Sequence, residues 1–329
     1  MRRTVLVMTA LLVLFSSFSF AGGAREQEVY TLQVAGVLVE SHPLSQTTLQ
    51  WARELEDRSD GRIKVETYFA GALGDSTEVV EYVQQGTVAM TTVSTAFMSS
   101  FDERFDIFSL PYVFRDADHM YEALDGEFGD FIKELLLDRG IRGLAFPDSG
   151  DRSVYTKGRP VQRPADMRGL KVRVMSAVAV DTMEAMGASG VPIAWGELYT
   201  ALQTGVVDAA ENNPPSIITA NHYEVTSDYS LTRHFRTPDY FIMSEQVYQS
   251  LPEDLQQILE ESIDDYFMPL QRQMFQESTE ESLQQIQEVG MRIHEIDDLT
   301  PFMEATAPVR ERVAAEIGML DWLRTIEEM

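Results

Sequence analysis

One segment places an arginine where a buried strand should be apolar. In Leu170-Lys-Val-Arg-Val-Met175, Leu170, Val172 and Val174 share one face, which leaves Lys171 and Arg173 on the other. Arg173 lies toward the carboxyl end of the segment. A guanidinium there can grip a carboxylate through two parallel hydrogen bonds, or it can pair with a structural Asp or Glu of this acidic chain. Asn212-Asn213-Pro214-Pro215 offers amide donors and acceptors that suit hydroxyls and carboxylates together, although Asn and Pro also favour plain turns. Trp195, between a short strand and a helix start, can stack on the C–H face of a sugar or fill a core. Arg152 follows the Ser149-Gly150-Asp151 turn near a lobe junction and, taken alone, reads as a solvated loop charge. In the first half, Ser94 in the Thr92–Thr95 loop, His42 and Glu78 complete the ligand-binding candidates.

The same residues show no catalytic signature. The chain has no phosphate-cradling glycine loop, no Gly-x-Ser-x-Gly elbow and no His-Glu-x-x-His. Its five histidines (His42, His119, His222, His234 and His294) lie far apart, without metal-ligand spacing. The absence of cysteine removes disulfide scaffolds, thiol catalysis and cysteine-ligated metals. The expectation is a binding protein with no catalytic residue, no cofactor and no metal. With 53 Asp+Glu against 26 Lys+Arg the net charge is -27, which repels nucleic acid and anionic membrane surfaces. At 329 residues and 44% apolar, the chain suits two domains with real cores.

The elements that must position these residues follow a leader. Arg2 and Arg3, the apolar run Val5 to Phe15 and Ser19-Phe20-Ala21 read as a cleaved signal peptide over residues 1–21. No cysteine follows for lipid attachment, so an exported, soluble and monomeric protein is expected. From Val29 the pattern is strand, helix, strand, helix, strand. Thr31 to Val37 is a strand, and Leu44, Thr48, Trp51 and Leu55 recur at helical spacing until Ser59-Asp60-Gly61. Ile63 to Phe69 alternates as a strand. Asp75 and Glu78 form a capping box for a helix closed by Gly86, and Val88 to Val93 is the next strand.

The second half repeats the plan. Leu170 to Met175, Val191 to Ile193 and Val206 to Ala210 are strands, separated by helices Ala177–Met186 and Glu197–Thr204. Glu78 to Gly86 and Glu197 to Gly205 run from a glutamate to a glycine with the same apolar spacing. Such alternation predicts mostly parallel sheets with helices on their faces, whose ligands sit beyond the carboxyl ends of the strands. That places the Thr92–Thr95 loop and Glu211-Asn212-Asn213 at a cleft between two lobes. After Asp239 a long helical stretch is expected, with Pro252 in its first turn and a kink at Pro269. Met291 to Ile296 reads as a late strand, and Thr300-Pro301 opens a terminal helix.

Gly169-Leu-Lys-Val-Arg-Val174, the block Trp195 to Asp208 and Glu211-Asn212-Asn213 resemble the solute-binding proteins of tripartite ATP-independent periplasmic (TRAP) transporters, the DctP family. Leu73-Gly74, Leu110-Pro111-Tyr112 and His222-Tyr223-Glu224-Val225 fit the same pattern. The resemblance covers essentially the whole mature chain. It implies an α/β, two-lobed periplasmic-binding-protein fold, each lobe a mostly parallel sheet flanked by helices, with a long kinked helix bracing both. The expected division is 22–149 plus about 238–277 for lobe 1, and 150–237 plus about 278–329 for lobe 2. By the same resemblance Arg173 pairs with the ligand carboxylate, Arg152 and Asn212 support it, and Trp195 lines the pocket. Ser94 stands where sialic-acid members carry a glutamate, and Glu211-Asn212 stands where metal–oxoacid binders carry Glu-Trp. Glu211 to Ser216 looks like members that take up sugar acids such as glucuronate or galacturonate. The implied function is a periplasmic receptor delivering a small carboxylate-bearing solute, a hexuronate-like acid, to a TRAP membrane permease. The rival readings are a receptor for C4-dicarboxylates or other carboxylates, a ligand-presenting partner of a sensor kinase, and a periplasmic enzyme acting on sugar acids.

Overall fold

The alternation that begins near Tyr30 builds two sheets in the computed structural model, which describes residues 28–329. The leader, residues 1–21, lies outside the described residues. In chain order come β1 (Tyr30–Ala35), α1 (Pro43–Arg58), β2 (Ile63–Tyr68), α2 (Ser76–Gln84), β3 (Met90–Ser94), α3 (Ala117–Leu124), α4 (Glu127–Glu134) and β4 (Ile141–Ala145). Next are β5 (Arg152–Thr156), β6 (Lys171–Val174), α5 (Ala177–Ala185), β7 (Ser189–Pro192), α6 (Trp195–Thr204), β8 (Ala209–Asn212), α7 (Pro214–Thr219) and β9 (Asp228–Phe235). The chain ends with β10 (Asp239–Ser244), α8 (Glu245–Ser250), α9 (Glu253–Ser262), α10 (Met268–Glu288), β11 (Arg292–His294), α11 (Thr300–Glu316) and α12 (Leu320–Glu328).

The first sheet has the order β2-β1-β3-β10-β4, and the second, read in the equivalent sense, β7-β6-β8-β5-β9-β11. Each opens with three parallel strands from a β-α-β-α-β run. Each then takes an antiparallel strand, β10 beside β3 and β5 beside β8. Both of those strands have just crossed from the other lobe, since β4 runs on into β5 and β9 into β10. The parallel strands end at the cleft. A strand arriving from across the cleft starts there, so it must run against them. The sheets are therefore mixed, and the antiparallel part consists of strands the sequence reading leaves out. Asp239 does not open the long helical stretch. All six residues of β10 are buried, and a continuous apolar run does not reveal its period.

Local chemistry explains how the elements start and stop. His42 caps α1 with Nδ1 accepting from the Leu44 N–H at 3.2 Å, and Pro43 occupies the first turn, where its missing N–H costs nothing. The α1 stripe buries Leu44, Thr48, Trp51 and Leu55. Trp51 pins that helix to the bracing stretch, donating to Ser262 Oγ at 2.9 Å and meeting Phe241 and Phe267 edge-on. Gly74, at φ +129°, has to be glycine, because a Cβ there would lie 2.9 Å from Glu78 Oε2, a capping oxygen of α2.

Four connections join the lobes: residues 146–151, residues 236–238, the bracing helices, and the return through α11 to α12. The expected kink at Pro269 takes the form of one wide helical turn, Ile263–Phe267, between α9 and α10. Proline leaves the carbonyl one turn back without a donor, and the wider turn absorbs that defect. The terminal helix α12 packs on the first lobe rather than the second. Trp322 stacks on Phe131 at 5.5 Å, and the His119 ring hydrogen-bonds the Ile326 carbonyl at 2.7 Å. Residues 320–328 thus depart from the expected second-lobe tail, because the apolar face carrying Leu323 and Ile326 finds its complement on α3 and α4.

Candidate functional site

The carboxyl ends of β3, β6 and β8 and the starts of β5 and β10 converge on one space of about 520 Å³ between the sheets. It opens into an outer space of about 1190 Å³ that runs past the start of α2 and Glu197. Val37, Ser76, Phe97, Met175 and Trp195 border both.

Arg173, third residue of β6, is 1% exposed. Its Nε donates to the Ile193 carbonyl at 2.8 Å, while its Nη1 is buried without a partner, and the guanidinium forms no ion pair among the described residues. Burial pushes its pKa down to about 10, with nearby Arg152 adding to the effect and Glu211 opposing it. Trp195, half-buried in the first turn of α6, holds its ring 6.0 Å from the guanidinium carbon. Thr92 Oγ1, also on the wall, is likewise buried without a partner. Unpartnered buried groups of this kind are rare, and these two share the wall of one space, where a ligand can supply the missing partner.

Arg152 behaves differently. It is no solvated loop charge: it begins β5 and is 4% exposed. Glu211, fully buried on β8, accepts from its Nε at 2.6 Å and from Nη2 at 3.1 Å. Burial disfavours the Arg152 charge, but the Glu211 carboxylate outweighs it and holds the pKa above its usual value. The structural carboxylate that could have neutralised Arg173 therefore neutralises Arg152. Arg152 Nη1 also donates to Asn212 Oδ1 at 2.8 Å, so the Asn212 amide NH2 is the group left to face a ligand.

Asn213 lines the same space, but its side chain is spent on structure. Oδ1 caps α7 by accepting from Ser216 N, and Nδ2 donates to the Ser149 carbonyl, both at 2.8 Å. His42 spans the lobes, its Nε2 lying 3.3 Å from Ser216 Oγ. Because Nδ1 accepts, the neutral ring carries its proton on Nε2, and burial drives its pKa down to about 3. Ser94 ends β3 at the wall. Glu78 is not part of the site. It is exposed, and its Oε2 accepts from the Asp75 N–H in the capping box of α2.

Sequence reasoning places Glu211 at the cleft but misses its partner, because the pairing with Arg152, 59 positions away, leaves no local signal. It misses Asp239, which begins β10 on the wall of the inner space and is 8% exposed. Among the described residues no group of three His, Asp or Glu side chains could hold a metal ion, and no helix is long and apolar enough to cross a membrane. The site can bind and orient an anion at Arg173 and meet hydroxyls at Asn212, Ser94, Thr92 and Asp239.

Comparison with known proteins gives the same picture. Residues 34–316 match the family model DctP, described as bacterial extracellular solute-binding protein, family 7. A solute-binding protein of Chromohalobacter salexigens is 32% identical over 87% of this chain and 85% of its own. Among solved structures, a TRAP periplasmic solute-binding protein from Sulfitobacter sp. NAS-14.1 with bound β-D-galacturonate superposes with a TM-score of 0.86 at 33% identity, covering 90% of this chain and 98% of that one. A second, from Chromohalobacter salexigens with bound D-glucuronate, gives 0.87 at 31% identity, covering 90% and 99%.

Proposed function

Since the chain belongs to bacterial extracellular solute-binding protein family 7, we propose that it is a periplasmic receptor for a hexuronate-type sugar acid, which it presents to a TRAP-type permease. The observation that carries this reading is Arg173, a buried guanidinium with an unpartnered Nη1 on the wall of an interlobe space lined by hydroxyls and amides. A ligand carboxylate supplies the missing acceptor through two parallel hydrogen bonds. Arg152, locked by Glu211, orients Asn212 toward the ligand, and Trp195 covers the sugar ring. The two sheets with their helices act as the moving bodies, hinged at the crossings between them. Ligand contacts to both lobes favour the closed arrangement, which is the state the permease distinguishes from the empty receptor. The function is capture without turnover.

The test is a thermal and calorimetric titration of the mature protein with D-glucuronate and D-galacturonate. A bound acid at 100 times its dissociation constant adds about 2.7 kcal/mol of stability. Recovery of the ligand unchanged separates capture from catalysis. If neither uronate stabilises the protein while succinate or malate does, the hexuronate reading is wrong and a dicarboxylate receptor replaces it.

A further inference from the structure

Arg152 and Asp239 occupy the same place in the two halves of the fold. Each is the first residue of the strand that arrives from the other lobe. Each sits beside the cleft end of a parallel strand: β5 pairs with β8 next to Asn212, and Asp239 lies directly opposite Ser94 in the β10–β3 register. The second lobe therefore offers a cation at this position and the first lobe an anion. Glu211 neutralises the Arg152 charge. Nothing comparable serves Asp239, whose carboxylate is more than nine-tenths buried, faces the inner space and has no hydrogen bond or ion pair among the described residues.

Arg173 is the other unpaired charge lining this space. The two do not meet in an ion pair, and the cation whose field reaches Asp239 is Arg152, not Arg173. The wall of the space therefore carries one unpaired donor, Arg173, and one unpaired acceptor, Asp239, besides the Arg152–Glu211 pair. A sugar hydroxyl can donate to Asp239. With Asp239 ionised, as at pH 8, a ligand carboxylate cannot, since it only accepts, and two like charges repel strongly away from water.

We propose that Asp239 is the specificity-determining residue that restricts this site to acids with a single carboxylate and a hydroxyl-bearing far end, excluding dicarboxylates of the same size. The assignment rests on the hexuronate reading of the site. It makes discrimination a matter of an opposing charge rather than of shape, the form of selectivity that costs the correct ligand least.

The experiment is calorimetry at pH 8 with D-galacturonate, a pyranose ring in solution, and its open-chain dicarboxylic counterpart galactarate, with open-chain, singly charged D-galactonate as the control for shape. Wild type should bind galacturonate at least about 30-fold more tightly than galactarate. Asp239→Asn, which keeps the shape and removes the charge, should weaken galacturonate by about tenfold and bring galactarate within about threefold of it. Galacturonate binding with a ratio unchanged by Asp239→Asn, or equal affinity of wild type for galacturonate and galactarate, overturns the Asp239 assignment alone. So does tighter binding of 6-aminohexanoate than of galacturonate, because Asp239 would then serve an ammonium. If wild type binds neither uronate nor aldarate, the hexuronate reading fails and this assignment falls with it.

Discussion

Replacing Arg173 by alanine should separate binding from stability in opposite directions. In the empty site the guanidinium is charged, 1% exposed and short of one hydrogen-bond partner. Its fall from the ordinary 12.5 to about 10 corresponds to about 3 kcal/mol of unfavourable burial, at 1.36 kcal/mol per pH unit. Truncation removes that cost and loses one hydrogen bond to Ile193, worth about 1 kcal/mol, together with some packing. The ligand-free variant should therefore melt at or above the wild-type temperature. Binding should suffer instead. Losing one partner of a desolvated, hydrogen-bonded charge pair costs roughly 2–5 kcal/mol. At about 1.4 kcal/mol per tenfold, a uronate should bind about 30-fold to several thousand-fold more weakly. Arg173→Lys should recover only part of the loss, since an ammonium lacks the planar two-bond fork. Calorimetry and ligand-free melting curves on the three proteins decide the matter. A variant that binds uronate almost normally but melts much earlier would make Arg173 a structural residue and pass the carboxylate role to Arg152.

Glu211→Ala should be the damaging change in the same site. It strips Arg152 of its counter-charge inside the fold, a loss of about 3–5 kcal/mol that denaturant melts would register even without ligand. Asp239 should give the empty protein an unusual pH profile. Burial raises its pKa to about 7, with Arg152 opposing and Asp148 adding, so the folded state holds a proton that the unfolded chain releases near pH 4. Stability should be highest below about pH 4 on this account and fall as pH rises to 7; Asp239→Asn should flatten that slope, and an unchanged slope refutes the assignment. Asp228 should do the reverse at lower pH. Burial disfavours its charge, but Arg292, Ser227 and His294 hold its carboxyl down at about 2. Its contribution, about 1–2 kcal/mol after screening at exposed Arg292, is present above about pH 4 and lost as pH falls through 2. Asp228→Asn should remove that acid-side loss in melts from pH 5 to pH 2.

Much of the architecture is legible in the sequence because it is written in local chemistry. The α1 stripe, the capping box of Asp75 and Glu78, and the left-handed glycines Gly86 and Gly205 that end α2 and α6 each depend on residues within a few positions of one another. So does the apolar alternation that exposes Arg173 as a misfit on β6. These signals suffice to specify two β-α-β-α-β runs and to place their strand ends at a cleft. The crossing strands β4, β5, β9 and β10 are not legible in this way. They mix apolar, polar and charged residues without a regular period, and nothing in their spacing records which sheet they join.

What the sequence determined alone is therefore the repeated half and the residue type at each strand end. The roles of those residues required the tertiary structure, because charge pairing inside a protein depends on distance in space. Arg152 reads as a loop charge and Arg173 could have a structural partner, until Glu211, brought beside Arg152 by the antiparallel β5–β8 pairing, neutralises the first and leaves the second unmatched. Glu78 reads both as a capping residue and as a cleft candidate until the fold leaves it exposed and off the wall of the inner space. Asp239 reads only as the residue after which helix is expected, until β9 carries the chain across and sets it against Ser94. A buried charge is costly unless something answers it, and only the folded chain determines which charges are answered from within and which are left for a ligand.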